Sequence, residues 1–141
     1  DVCSSDLVDE DIVKRVSKFR EEGHNCAQTV ACALAEETAL DEGLLFRLSE
    51  GFGGGMGGHQ GTCGALSGAI LILSYLNSGE NTKLKTYAIV KELFEKFEEH
   101  FGTTICEGLK EKELCGECIE VAARYGCALI KGVPLDEFPL L

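Results

Sequence analysis

Apolar residues recur every three to four positions along most of this chain, the spacing of one helical face. Ile12, Val13, Val16 and Phe19 form such a stripe between Leu7 and Arg20, with charged residues opposite. Gly23 ends that segment. Asn25 then has the character of an N-cap, with Gln28 three positions later to complete a capping box, and it opens a second helix through Ala35. A short helix is centred on Leu44, Leu45 and Leu48. Ala65 to Leu76 is the longest largely apolar stretch; interrupted by Ser67, Gly68 and Ser74, it is too short to cross a bilayer. It reads as part of a buried helix from Cys63 to about Leu76, capped by Thr62. Leu84, Tyr87, Phe94, Phe97 and Phe101 mark a long helix that Gly102 stops, and a last helix runs from about Glu117 to Lys131. No alternating pattern or hairpin turn chemistry breaks the series. The expected fold is all-α, an irregular bundle of five to six helices.

One segment resists any regular element. Residues Gly51 to Gly61 hold seven glycines in eleven positions, so a loop with special backbone geometry is expected there. Gly53-x-Gly55-x-x-Gly58 has the form of a dinucleotide fingerprint, but no strand precedes it and no phosphate-binding Lys-Ser/Thr follows, so nucleotide binding is not expected.

Composition adds constraints. A chain of 141 residues, 45% hydrophobic, suffices for one domain with a core of its own, placed here at residues 8–141. The first seven residues, DVCSSDL, match one reading frame of a common sequencing-library adapter and are read as an artefact, which makes Cys3 non-native and leaves the true start undefined. A net charge of −11 without a Lys/Arg cluster argues against nucleic acid and anionic membrane as partners. Membrane insertion is not expected and the cytoplasm is the expected compartment, with homo-oligomerisation left open.

Eight cysteines in a chain that can build a core without disulfides need another explanation. Cys26 follows the cap Asn25, Cys63 follows Thr62, and Cys106 follows Thr104, which spells a capping box with Glu107. Cys118 lies near the start of the last helix. A helix N-terminus presents unpaired N–H groups and partial positive charge, which can lower a thiol pKa from about 8.5 to between roughly 3.5 and 7.5. Thiolates bind metals or attack disulfides, so the placement suits either chemistry. Cys32 and Cys127 sit among apolar neighbours and read as core. Cys115 spells C-x-x-C with Cys118, a weak motif without a βαβ unit or a second pair. His24 and His59 read as surface residues rather than ligands. His100 closes an acidic helical segment, where a cation complements the helix dipole. No Ser/His/Asp arrangement or identifiable base supports a hydrolase.

The run GFGGGMGGHQGTCGALSGAIL, with NCAQTV upstream and two spaced cysteines downstream, resembles the bacterial and archaeal redox-active family named for its C-GCAxxG-C-C cysteine pattern. The Cys-Gly-Ala-x-x-Gly core stands as Cys63, Gly64, Ala65, Leu66, Ser67 and Gly68. The family's other cysteines fall on Cys26, Cys106 and, from the following CIEVAA, Cys118. The resemblance spans about residues 12 to 131 and implies a redox role with an unnamed redox partner protein. A similar domain occurs in split-Soret-type multihaem cytochromes, where the cysteines look like ligands of a two-iron, two-sulfide cluster; this chain has no C-x-x-C-H for covalent haem. Three site chemistries follow. An iron–sulfur cluster of 2Fe-2S type on Cys26, Cys63, Cys106 and Cys118, with Cys115 as alternate ligand, is the first. A metal-free thiol–disulfide centre with Cys63 attacking and Cys26 as a partner is the second, and a structural zinc site on the same thiolates is the third. Backbone N–H groups of Gly55, Gly57, Gly58 and Gly64 could contact the sulfurs; a tight helix crossing is the plainer role for Gly64 and Gly68.

Overall fold

The computed structural model describes residues 8–36 and 38–137, and the reading of residues 1–7 as an artefact lies outside that range. Seven α-helices follow one another: α1 (Val8–Glu21), α2 (Cys26–Ala35), α3 (Glu42–Ser49), α4 (Gly64–Asn77), α5 (Lys83–Phe101), α6 (Cys106–Glu111) and α7 (Cys115–Ile130). There is no strand among the described residues, and none of their helices is long and apolar enough to cross a membrane. The all-α expectation therefore holds, with one helix more than the five to six anticipated. The helix left out of that count is α6, whose start the Thr104–Glu107 pattern marks but whose six residues are too few to show a periodic stripe.

α2 is the axis of the bundle. It is apolar on nearly all sides and buried from Ala27 to Ala35, as a helix must be when others surround it. Its start is fixed by the expected capping box: Asn25 Oδ1 accepts from the Gln28 N–H, and Gln28 Oε1 accepts from the Asn25 N–H, both at 2.9 Å. Asn25 Nδ2 also donates to the Glu50 carbonyl, tying α2 to the turn after α3. α4 and α7 pack on α2, with α1 across α2 and α7 and α5 against α4 and α7.

Small residues set how closely the three central helices approach. A β-carbon on Gly68 would stand 2.5 Å from the Ala27 carbonyl oxygen and 3.2 Å from Ala31 N, and one on Gly126 would meet Leu34 Cδ1 at 2.7 Å. Around these crossings Leu34, Leu66, Ile72, Leu73, Leu93 and Phe97 are fully buried, each worth about 1.5–3 kcal/mol relative to exposure.

The face of α5 departs from the expected stripe. Thr86, Leu93, Phe97 and Phe101 turn into the core, while Leu84 is 78% and Tyr87 60% exposed. Two apolar stripes share this helix, and packing against α4 and α7 selects the one containing Leu93 and Phe97. The stop at Gly102 is as expected, its φ of +84° being left-handed backbone that glycine adopts without strain.

Candidate functional site

Five cysteines stand at helix starts. Cys26 is the first residue of α2, Cys106 the first of α6 and Cys115 the first of α7, with Cys118 one turn in; Cys63 is the N-cap residue of α4. The two threonine caps are not formed. No side chain caps α4 or α6, because Thr62 is instead paired with Ile105 in an isolated antiparallel bridge. Cys63 N donates to the Thr104 carbonyl at 2.7 Å and Cys106 N to the Gly61 carbonyl at 2.9 Å. This two-stranded clasp holds the Cys63 and Cys106 segments side by side.

The glycine-rich segment wraps the same end of the molecule. It forms a 3-10 turn at Glu50–Phe52 and then a widened turn at Gly55–His59, with Gly54, Gly55, Met56, Gly57 and His59 all at positive φ. Two glycines touch sulfur-bearing residues. A β-carbon on Gly55 would collide with Cys106 Cβ and lie 3.2 Å from its Sγ; one on Gly64 would collide with Cys26 Sγ and stand 2.8 Å from the Phe52 carbonyl oxygen. Gly57 and Gly58 do not share this role, since nothing lies within 4 Å of where their β-carbons would be.

Cys63 and Cys118 are hydrogen-bonded through their side chains. The Cys118 S–H shifts the Cys63 pKa down to about 7, with burial opposing and the N–H groups of Ala65 and Leu66 assisting. Cys118 moves up for the reciprocal reason, as donor to Cys63, and through burial. Cys26 is raised chiefly by burial, against which the N–H groups of Gly54 and Ala27 act, and then by the charge of Cys63. Cys106 is raised by burial and then by Cys63, Cys115 and Cys26, with Lys110 opposing. The metal-free site thus supports one thiolate, on Cys63. Backbone N–H groups favour the thiolate only at Cys63 and Cys26; burial outweighs them at Cys26, burial and mutual repulsion dominate at Cys106, and at Cys118 the hydrogen bond to Cys63 comes first. Four thiolates together would need a cationic centre to offset their charge.

Cys63, Cys106 and Cys118 are only 6%, 7% and 1% exposed, Cys26 is half-buried, and Cys115 faces solvent. Among the described residues no three Cys, His, Asp or Glu side chains converge closely enough to hold one ion. Cys32 and Cys127 are both buried in the core as expected, but only Cys32 is a free thiol, pushed up to about 11 by burial; Cys127 is disulfide-bonded, which the reading of it as a free core thiol did not anticipate.

Two histidines depart from the surface reading. His24 is half-buried between the rings of Phe19 and Phe46, at centroid distances of 4.9 and 4.7 Å. His59 lies against the site, with Nδ1 3.6 Å from Cys106 Sγ and Nε2 3.2 Å from Lys110 Nζ. Gly54, which contacts the Cys26 sulfur through its N–H, had no signal to set it apart in a run of glycines. His59 had one: it is among only four non-glycine residues in the segment.

Residues 24–128 match the model of the family described as "Putative redox-active protein (C_GCAxxG_C_C)". The chain belongs to this family. The match encloses Cys26, Cys63, Cys106, Cys115 and Cys118 and both touching glycines. No curated protein and no solved structure matches the chain.

Proposed function

We propose that this member of the family is an electron carrier or redox sensor in which Cys26, Cys63, Cys106 and Cys118 hold a two-iron, two-sulfide cluster. The observation that carries the reading is that Cys26, Cys106 and Cys118, from three other segments, all feel the charge of Cys63, with three of the four thiols buried and too little compensating charge for four thiolates alone. A bound cluster would supply one-electron exchange, and burial suits that chemistry, because electrons reach a centre that a bulky substrate cannot touch. Such a cluster asks each iron for a pair of thiolates, whereas a zinc site asks four to meet at one ion. Gly55 and Gly64 let backbone close around Cys106 and Cys26 where any side chain would intrude.

The test is anaerobic purification followed by reconstitution with iron and sulfide. About two irons and two acid-labile sulfides per chain are expected, with visible absorbance. Cys63→Ser and Cys118→Ser should lose most of the bound iron. A colourless, iron-free chain after anaerobic reconstitution overturns the reading.

The hydrogen bond between Cys63 and Cys118 favours a second reading, a dithiol that oxidises to a disulfide with release of two electrons and two protons to a disulfide-bearing partner. It predicts a loss of two free thiols on oxidation without any metal.

A further inference from the structure

His59 ends the glycine-rich turn at φ +67°, a backbone conformation that costs a non-glycine residue of order 1–3 kcal/mol and persists only where surrounding contacts hold it. The contacts on its ring are specific. The imidazole reaches over α6 and meets two residues one turn apart on the same face, Cys106 at Nδ1 (3.6 Å) and Lys110 at Nε2 (3.2 Å). Gly54 lies below the ring, where a β-carbon would come within 3.4 Å of Cε1.

An ammonium group has donors and no acceptor. Nε2, facing Lys110 Nζ, must then present its lone pair, which leaves the ring neutral with its proton on Nδ1. That proton faces Cys106 Sγ. We infer that Lys110 locks His59 in the Nδ1–H tautomer, and that His59 donates an N–H···S hydrogen bond to Cys106, making the pair a positioning device for one sulfur of the redox site. The inference rests on reading Cys106 as a site sulfur. It gives Cys106 a donor of its own: this thiol feels three other cysteines, and the positive charge of Lys110 is what opposes them. An N–H···S bond favours the thiolate at Cys106 and fixes its orientation. A role for His59 at a left-handed position of this turn is thereby supplied.

The test uses reduced, iron-free protein, so its outcome is independent of whether a cluster can be reconstituted. Long-range ¹H–¹⁵N correlation spectra should show His59 protonated on Nδ1 and unprotonated on Nε2. In Lys110→Met the ring should move towards the Nε2–H form, and in Cys106→Ala the Nδ1 resonance should shift while the tautomer is kept. An Nε2–H or doubly protonated His59 in the wild type overturns the inference. An unchanged tautomer in Lys110→Met overturns the lock, and an unmoved Nδ1 resonance in Cys106→Ala overturns the sulfur contact. His59→Gly, which relieves the backbone strain, should fold at least as stably as the wild type, and a large loss of stability would assign the ring a purely packing role instead.

Discussion

Replacing Gly68 with alanine adds one methyl group where α4 crosses α2, with no room for it. The new carbon would lie 2.5 Å from the Ala27 carbonyl oxygen, 3.2 Å from its carbon and 3.2 Å from Ala31 N, all backbone atoms that cannot rotate aside. An exposed helix interior gains up to about 1 kcal/mol from Gly→Ala. Here that gain is set against overpacking, at about 1–3 kcal/mol, and against loosening of the buried contacts of Ala27, Ala31, Leu66 and Ala69 as α2 backs away. The expected net loss is roughly 1–2 kcal/mol, or about 3–8 °C in Tm for a chain of this size, read by calorimetry on the reduced, iron-free protein. Gly108→Ala is the control. Its β-carbon would meet only Thr103 Cγ2 at 3.4 Å, so up to about 1 kcal/mol of stabilisation is expected. Gly64→Ala, which strikes Cys26 Sγ and the Phe52 carbonyl, should be destabilised like Gly68→Ala and also lose iron loading, while the folded fraction of Gly68→Ala retains it. A Gly68→Ala protein as stable as Gly108→Ala would refute the close-crossing argument.

In iron-free protein, alkylation of Cys63 should follow a midpoint near pH 7, and Cys118→Ala should move it up towards the ordinary thiol range, because the Cys118 hydrogen bond is the largest cause of the lowering; an unmoved midpoint would assign the effect to the helix end. Since the folded value lies below the unfolded one, Cys63 contributes stability that is full above the unfolded thiol pKa and is lost as pH falls through about 7. Cys118, raised in the fold, contributes in the opposite sense, its share present below the unfolded value and lost above it. Urea midpoints compared across this window should therefore fall more steeply towards acid in the wild type than in Cys63→Ser. Asn25→Ala removes a capping box and the bond to the Glu50 carbonyl, and should cost about 1–2 kcal/mol in urea unfolding while speeding alkylation of the adjacent Cys26.

Local chemistry was readable along the chain and tertiary pairing was not. The Asn25–Gln28 box and the Gly102 stop depend on residues within a few positions of one another, and both stand as expected. Thr62 and Thr104 also had the local form of caps, but each is drawn into a backbone clasp whose other half lies some forty positions away, a competitor no local pattern displays. The buried face of α5 was ambiguous for a related reason: Leu84 and Tyr87 form an aliphatic and aromatic stripe much as Leu93 and Phe97 do, and the positions of α4 and α7 decide between them. The place of Cys26, Cys63, Cys106 and Cys118 at or near helix starts was legible in the local pattern. Their charge state was not, since it follows from burial and from which thiol touches which.

The clasp between the Thr62 and Ile105 segments makes the site modular. Everything between them, α4 and α5 together, leaves and returns at adjacent backbone positions, so the spacing of Cys63 and Cys106 is set by two hydrogen bonds rather than by the length of the excursion. The α4–α5 turn could therefore be lengthened, or α5 extended by whole turns, without disturbing the sulfurs. For protein engineers this marks residues 78–82 as a natural place to graft a docking or reporter module onto the chain. For comparisons across the family it means that unequal distances between the second and third cysteines are compatible with the same centre.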